Sequence, residues 1–249
     1  MHRFFIRLEN IVKENITIDG EDVQHISKVL RLKEGDKIVL CDQQGTDYNV
    51  TIESISKHSI RTTILDKESS MGEPSIDVVL YQGIPKSTKM DLIIQKCTEL
   101  GITRIVPVIT AHTVVKLESE KDEVKKVIRW TKIAEEAAKQ SKRGKVPTIE
   151  MPMTLENALE DSKKLGLTLI PYELEKEVSI KKALPAKQPN SIGFFIGPEG
   201  GFDSYEIDKA KQKGVIPITF GSRIMRTETA GFAILICIMF EYDQMQRNK

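Results

Sequence analysis

The segment IGPEGGF occupies residues 196–202, and the segment FGSRIMRTETA occupies residues 220–230. Each follows a short apolar run that predicts a buried strand, and each leads into a stretch with helical periodicity. In parallel α/β sheets, ligands bind outside the carboxyl ends of the strands. The two segments therefore predict the fold, a parallel sheet covered by helices, and they indicate where its ligand site lies.

Glycines dominate the first segment. Gly197, Gly200 and Gly201 allow the backbone to approach a ligand closely, and the N–H groups at the start of the following helix can receive an anion. The alternative is a tight turn in which glycine serves backbone geometry only. We favour a ligand loop, because two glycines are enough for such a turn.

Charged residues distinguish the second segment. Arg223, Arg226 and Glu228 stand between an apolar strand and a strongly apolar helix, where charges need partners. The alternative is that Thr227 caps the helix while Glu228 complements its dipole. That alternative leaves both arginines without a role.

The rest of the chain divides into two parts. In the first 70 residues, short β-rich runs such as Arg3–Leu8 alternate with turns, and one short helix is predicted over Glu21–Leu30, so we expect a small β-barrel. A polar, turn-forming linker is predicted at Glu68–Ser75. From Ile76 onward, apolar strands alternate with helices, the last over Thr227–Met245, which is typical of a parallel sheet.

Composition excludes several classes of protein. Among 249 residues, 37 Lys and Arg balance 36 Asp and Glu, which excludes a wholly basic nucleic-acid binder. The three cysteines are scattered and none of the four histidines has metal-ligand spacing, so we expect neither disulfides nor a metal. The longest apolar run, Ala230–Phe240, has 11 residues, whereas a bilayer span needs about 20. We expect a soluble cytoplasmic protein with no membrane partner.

Positive charge is concentrated locally. The segment KQSKRGK at Lys139–Lys145 contains no acidic residue, and it is either a solvated surface or a site that holds phosphates. The sequence lacks the GxGxxG and GxxxxGK[ST] phosphate motifs and the GxSxG nucleophile motif. Candidate RNA-binding residues share an expected surface position and positive charge: Arg3, Lys28, Arg31, Lys86, Lys139, Lys142 and Arg143.

At the two loops the sequence resembles the RsmE family, and the resemblance extends nearly from end to end. The segments His25–Asp36, Gly83–Thr110 and Trp130–Pro147 are also similar to this family. The resemblance implies methylation of uridine N3 in 16S ribosomal RNA of the small ribosomal subunit, with S-adenosyl-L-methionine as the cofactor. It also implies a PUA-like barrel over residues 1–70 and a SPOUT methyltransferase domain over residues 71–249.

The resemblance further implies a deep trefoil knot over about residues 167–230, a homodimer, and a cofactor cleft made by three loops. Arg226 is the candidate cation for the uracil carbonyl, and Thr227 and Glu228 are candidates to orient it or relay the proton. Where the family leads us to expect an arginine, this chain has His112. The implied cofactor-binding residues are Pro171, Tyr172, Glu173, Ile196, Gly197, Pro198, Glu199, Gly200, Gly201, Phe220, Gly221, Ile224 and Met225.

Two other functions remain open at this point. A non-catalytic RNA-binding protein would bind RNA without affinity for the cofactor, and the intact GPEGG and RTETA segments count against it. A nucleotide-binding enzyme would use the glycine loop for phosphate, and the missing phosphate-loop lysine counts against that.

Overall fold

The structure is a computed structural model that describes residues 2–115 and 119–245. It divides into two units, each described by itself below. The first comprises residues 2–73 and Ala138–Val146, and the second comprises Pro74–Ala137 and residues 147–245. The outer ends of the two predicted domains, Met1 and residues 246–249, lie outside the described residues.

The first unit is built on a six-stranded sheet in the order β1-β4-β5-β6-β3-β2. β1 pairs in parallel with β4, and the other pairs are antiparallel. No pairing joins the edge strands β1 and β2 among the described residues, so closure into a barrel stays a prediction. The strands are β1 (Arg3–Phe5), β2 (Ile11–Val12), β3 (Asn15–Asp19), β4 (Lys37–Cys41), β5 (Thr46–Ile55) and β6 (Ser59–Ser69).

Aliphatic side chains on alternate strand positions form the core of this unit. In β3, for example, Ile16 and Ile18 are buried while their neighbours are exposed. This alternation is typical of a sheet with one face on a core and one face in water.

Three sequence predictions for this unit were wrong in detail. The first strand ends at Phe5, and a 3-10 helix over Leu8–Asn10 follows it. The predicted helix Glu21–Leu30 is α-helical only over α1 (Glu21–Gln24) and continues as a π-helix over His25–Val29. The predicted linker begins too early, because pairing with β5 extends β6 to Ser69.

The second unit contains a parallel sheet in the order β10-β8-β7-β12-β11-β13, with β9 paired to β8. Every strand pair in it is parallel, which confirms the predicted parallel α/β sheet. The strands are β7 (Asp77–Gly83), β8 (Arg104–Ile109), β9 (Thr148–Ile149), β10 (Met153–Thr154), β11 (Leu167–Pro171), β12 (Ser191–Ile196) and β13 (Ile216–Ile218). The helices are α2 (Lys89–Glu99), α3 (Glu120–Gln140), α4 (Leu155–Ser162), α5 (Ile180–Ala183), α6 (Ser204–Gln212) and α7 (Thr227–Glu241). The last three residues of α3 belong to the first unit.

Helix boundaries follow local chemistry. A capping box begins α6, since the Asp203 side chain and Glu206 each accept a backbone N–H at the helix start. The capping alternative for Thr227 was wrong, because Arg226 is the N-cap residue and its side chain makes no capping hydrogen bond. The predicted last helix also ends earlier, at Glu241. No helix in the described ranges has both the length and the apolarity of a membrane span.

A polar network lies at the other end of the sheet from the glycine loop. Asp161 accepts hydrogen bonds from Arg104 at 2.6 Å, Tyr81 at 2.8 Å and Lys164 at 2.9 Å. Burial opposes ionisation of Asp161, but these hydrogen bonds outweigh it and lower its pKa to about 2. The ionised carboxylate therefore stabilises the folded state.

We predict that Asp161→Asn lowers the free energy of unfolding by about 1.5–3 kcal/mol at pH 7, because it removes charge-assisted hydrogen bonds. Since the pKa of Asp161 is depressed on folding, its contribution is present above pH about 4 and is lost as pH falls toward 2. Urea denaturation across this pH range checks both statements. The control is Asp208→Asn, whose exposed ion pair with Lys211 predicts a change within about 0.5 kcal/mol.

Candidate active site

Three loops meet at the carboxyl ends of β11, β12 and β13 and enclose a cleft of about 780 Å³. All thirteen residues that the resemblance assigned to cofactor binding line this cleft, as do Arg226 and Thr227. Glu228, the third catalytic candidate, is not a lining residue and adjoins the cleft through its ion pair with Lys89. Their role in binding remains a prediction, but the structure does bring them together. The further lining residues are Lys89, Leu174, Phe202, Thr219, Ser222, Arg223 and Ala230.

The glycines of the 197–201 loop are required by contacts within the protein. A Cβ on Gly197 would lie 2.8 Å from the backbone of Gly201, and Gly201 itself has a φ of +67°. The N–H of Gly201 donates to the carbonyl of Pro198 at 3.0 Å, which closes the turn. The loop is thus folded tightly on itself beside the cleft.

His112, the departure from the family pattern, packs against this loop. Its Nδ1 lies 3.3 Å from the carbonyl oxygen of Gly201, to which a protonated Nδ1 can donate. A Cβ on Gly200 would lie 2.9 Å from the Cβ of His112. Gly200 therefore makes room for His112. The prediction was that its lack of a side chain makes room for a ligand.

Thr227 connects the glycine loop to the centre of the sheet. Its hydroxyl donates to the carbonyl oxygen of Gly197 at 2.6 Å and accepts from Nε2 of Gln82 at 2.9 Å. Thr227 is buried and Gln82 is fully buried. The hydroxyl thereby fixes the start of α7, the end of β7 and the glycine loop relative to one another.

A lysine and two carboxylates form a second connection. The Lys89 ammonium lies 2.9 Å from Glu199 Oε1 and 3.7 Å from Glu228 Oε2. Glu199 also accepts from the backbone N–H of Lys86 at 3.1 Å. Burial opposes ionisation of Glu199, but the hydrogen bonds from Lys89 and from the backbone hold its pKa below the usual range. The hydrogen bond to Glu199 likewise raises the pKa of Lys89.

The expected pairing of Arg226 with Glu228 was wrong. The ion-pair partner of Glu228 is Lys89, and among the described residues no hydrogen bond or ion pair involves the Arg226 side chain. Arg226 is exposed at the cleft, so its charge remains hydrated and needs no buried partner. Its donors are available to a bound molecule.

Two of the candidate RNA-binding residues have structural roles. Arg3 makes a nearly buried two-point salt bridge with Asp47, with distances of 2.5 and 2.6 Å. Arg143 is 2% exposed and donates to Glu73 at 2.8 Å. Because these guanidinium groups are buried against carboxylates, neither is accessible to a phosphate, and the RNA-binding assignment of both is corrected.

The other candidates remain at the surface. Lys28, Arg31, Lys86 and Lys142 are exposed, and Lys139 is partly buried beside Asp22 at 3.2 Å. Over residues 2–115 and 119–245, no group of three or more His, Cys, Asp or Glu side chains could hold a metal ion.

The sequence analysis missed Lys89 and Gln82. Gln82 lies at the carboxyl end of β7 and Lys89 begins the helix that follows it, and the parallel register that pairs Ile196 with Gln82 brings this end beside the glycine loop. The rule that ligands bind at the carboxyl ends of strands pointed to this position. What was lacking was the strand order, since β7 and β12 are far apart in the chain and adjacent in the sheet.

We predict that Thr227→Val lowers the free energy of unfolding by about 1–3 kcal/mol, because it leaves the Gly197 carbonyl without its donor. Valine has nearly the shape of threonine, so the change isolates the hydroxyl. Thr229→Val is the matched control on the exposed face of α7 and is expected to change stability by about 0.5 kcal/mol or less. Equal losses in the two variants, measured by urea denaturation, would contradict this role of Thr227.

The cleft lies in the part of the chain that matches a methyltransferase domain. Residues 72–239 match the family described as the RNA methyltransferase domain, and residues 18–65 match the RNA methyltransferase PUA domain. The ribosomal RNA small subunit methyltransferase E of Bacillus subtilis (strain 168) is 34% identical over the whole of both chains. The protein of the same name from Mesomycoplasma hyopneumoniae (strain 232) is 34% identical over 94% of this chain and 97% of its own.

Solved structures show the same similarity. A ribosomal RNA small subunit methyltransferase E from Neisseria gonorrhoeae, bound to S-adenosyl methionine, has a TM-score of 0.84 at 28% identity and covers 96% of this chain and 97% of its own. A Legionella pneumophila protein solved in complex with the same cofactor has a TM-score of 0.87 at 28% identity over 96% of both chains. With two matching domains and relatives similar over their full length, the chain belongs to the ribosomal RNA small subunit methyltransferase E family, that is, the RsmE family.

Proposed function

We propose that this protein transfers the methyl group of S-adenosyl-L-methionine to N3 of a uridine in 16S ribosomal RNA, in the context of the small ribosomal subunit. The observation that carries the proposal is the gathering of thirteen predicted cofactor residues around one cleft at the carboxyl edge of the parallel sheet. Family membership supports it. Nucleoside mass spectrometry of ribosomal RNA from cells that lack the protein tests it, and the expected result is loss of 3-methyluridine alone.

The cleft suits a nucleoside with a charged side chain. Its walls include the rings of Tyr172 and Phe220 and the apolar side chains of Ile196 and Met225. Its floor is glycine-rich backbone, which offers N–H and C=O groups to a base, and the exposed Arg223 provides a cation. When bound there, S-adenosyl-L-methionine supplies an electrophilic methyl group.

Residues of this chain align the uridine and stabilise the negative charge that develops on it. Uridine N3 carries a proton and is a poor nucleophile until that proton leaves, so alignment of the base is the largest contribution. Negative charge grows on the uracil carbonyl oxygens as the proton leaves. Arg226 is exposed at the cleft with its donors unclaimed by the described residues, and it stabilises this charge.

We predict that Arg226→Ala slows single-turnover methylation by a factor of about 10²–10³, with cofactor affinity nearly unchanged, because it removes one donor to the developing charge. Calorimetry and rapid quench measure the two quantities separately. Lys211→Ala, which removes a surface charge paired with Asp208, is the control. A loss of cofactor affinity in proportion to the rate would make Arg226 a cofactor ligand.

RNA recognition divides between the two parts of the chain. Residues 1–70 form the PUA-like RNA-binding domain, and residues 71–249 form the SPOUT methyltransferase domain. The exposed Lys28, Arg31 and Lys142 of the first unit provide phosphate contacts, and Lys139 and Lys86 add to them. Because its proposed substrate is the ribosomal subunit, the protein acts in the cytoplasm.

The second unit carries the SPOUT knot over about residues 167–230. In support, β13 lies at the outer edge of the sheet, whereas α7, which follows it, packs against α2 and β12 nearer the centre. The chain from β13 to α7 therefore returns across the carboxyl ends of β11 and β12, along the three loops of the cleft.

The protein is a homodimer through α7. This helix is apolar on all sides, and Ile236 and Phe240 remain 40% and 74% exposed. Leu92, on the adjacent helix α2, is 42% exposed. A helix that is hydrophobic all round is normally buried, and a second copy of this chain would cover the exposed side.

We predict that light scattering at micromolar concentration gives the mass of two 28.1 kDa chains and that Phe240→Glu gives the mass of one, because a buried unpaired charge opposes association. The control is Val12→Glu, which places the same charge at a 62% exposed position of the first unit and is expected to remain dimeric. A wild-type protein with the mass of a single chain would remove the dimer from the proposal.

A further inference from the structure

Lys89 joins three elements at the edge of the cleft. It is the first residue of α2, and its ammonium contacts Glu199 of the glycine loop and Glu228 in the first turn of α7. The Lys89 side chain is 29% exposed and that of Glu228 is 16% exposed. The nearby Arg226 also acts on Lys89 electrostatically, as a like charge.

The two carboxylates differ in how they are satisfied. Glu199 receives hydrogen bonds from Lys89 and from the backbone of Lys86. Glu228 Oε2 is buried and has no hydrogen-bond partner among the described residues, since Lys89 at 3.7 Å is within ion-pair range but beyond hydrogen-bond range. Buried polar atoms in folded proteins nearly always have a partner, so an unpartnered one calls for a functional explanation.

An ionised carboxylate oxygen accepts hydrogen bonds and donates none. Glu228 Oε2 therefore lacks a donor, and the uracil N3–H of the substrate is one. We propose that Lys89 is the positioning residue that holds the Glu228 carboxylate in place at the edge of the cleft, so that Glu228 accepts the proton of uridine N3. This inference rests on the proposed methylation of uridine N3 and adds the proton acceptor and the residue that orients it.

The N3–H bond breaks, its electron pair stays on N3, and the proton joins Glu228 Oε2. The pair on N3 then forms the bond to the methyl carbon while the S–CH₃ bond of the cofactor breaks and sulfur keeps its electrons. The products are 3-methyluridine, the neutral thioether and a protonated Glu228, which releases the proton to water.

The geometry favours Lys89 over Arg226 for this positioning role. The anchor of Lys89 is Glu199, which lies 2.9 Å from the ammonium and is itself held by the backbone N–H of Lys86. No ion pair links Arg226 to Glu228 in the described part of the chain. The two cations thus have different roles. Lys89 positions the proton acceptor, and Arg226 stabilises the charge on the uracil carbonyl.

Four variants test the proposal, with cofactor affinity measured by calorimetry and single-turnover rates measured across pH. Glu228→Gln is expected to slow methylation by a factor of about 10²–10⁴ near neutral pH, the usual contribution of a general base. Its rate should recover as pH rises, because hydroxide then removes the N3 proton. Lys89→Met is expected to move the acid limb of the pH–rate profile to higher pH, since an ammonium beside a carboxylate favours its ionised form.

Lys89→Arg retains the charge and is expected to retain the wild-type profile, which a merely structural role does not predict. Lys96→Met removes a lysine of the same helix that pairs with Glu99, and it is expected to leave affinity, rate and profile unchanged. Should Lys89→Met fail to fold, as judged by circular dichroism, Lys89→Gln removes the charge while keeping a donor to Glu199, and the same shift is expected.

Three results would overturn the inference. Loss of cofactor affinity in proportion to rate in Lys89→Met would make Lys89 a cofactor ligand. A slower Lys89→Met with an unchanged pH profile would make it structural. A wild-type methylation rate in Glu228→Gln would show that another group accepts the proton of uridine N3. If the wild-type protein forms no 3-methyluridine, the proposed function is itself contradicted, and this inference with it. That result is distinct from the three above, in which the wild-type protein is active.

Discussion

The cleft depends on one hydroxyl group. Thr227 donates to the Gly197 carbonyl and accepts from the Gln82 amide, and both bonds are sheltered from water. Loops at the ends of strands are ordinarily mobile, because few buried contacts hold them. Here the glycine loop is fixed to the end of β7 and to the start of α7, which gives the cleft a constant shape. A site whose walls are fixed in advance does not have to spend binding energy on ordering them.

Electrostatics add a second constraint at the same edge. Glu199 and Glu228 face a single ammonium, while Arg223 and Arg226 on the adjacent loop are exposed. An ammonium between two carboxylates is held near the protein, whereas exposed guanidinium groups are free to meet an incoming anion. The cleft thus separates charge that is paired within the protein from charge that is exposed.

Much of this arrangement could be predicted from the sequence, because strand and helix periodicities and the capping box are local signals. The thirteen cofactor residues were implied by the family resemblance, and they line one cleft because they end or follow strands of a parallel sheet. The pairing of Lys89 with Glu228 could not be predicted, because it depends on which strands are neighbours. The π-helix at His25–Val29 was also missed, since apolar spacing alone does not distinguish it from an α-helix.

The basic segment near residue 140 shows why charge along a chain is a weak guide to binding. Arg143 is buried against Glu73, and Gly144 packs so closely on Ser70 that a Cβ would lie 2.3 Å from it. The carbonyl of Gly144 also accepts from the Cys41 thiol. Ala138–Val146 is therefore an integral part of the first unit, although it is separated from it by more than sixty residues of sequence. Its arginine holds that unit together, whereas Lys142 and Lys145 of the same segment are exposed.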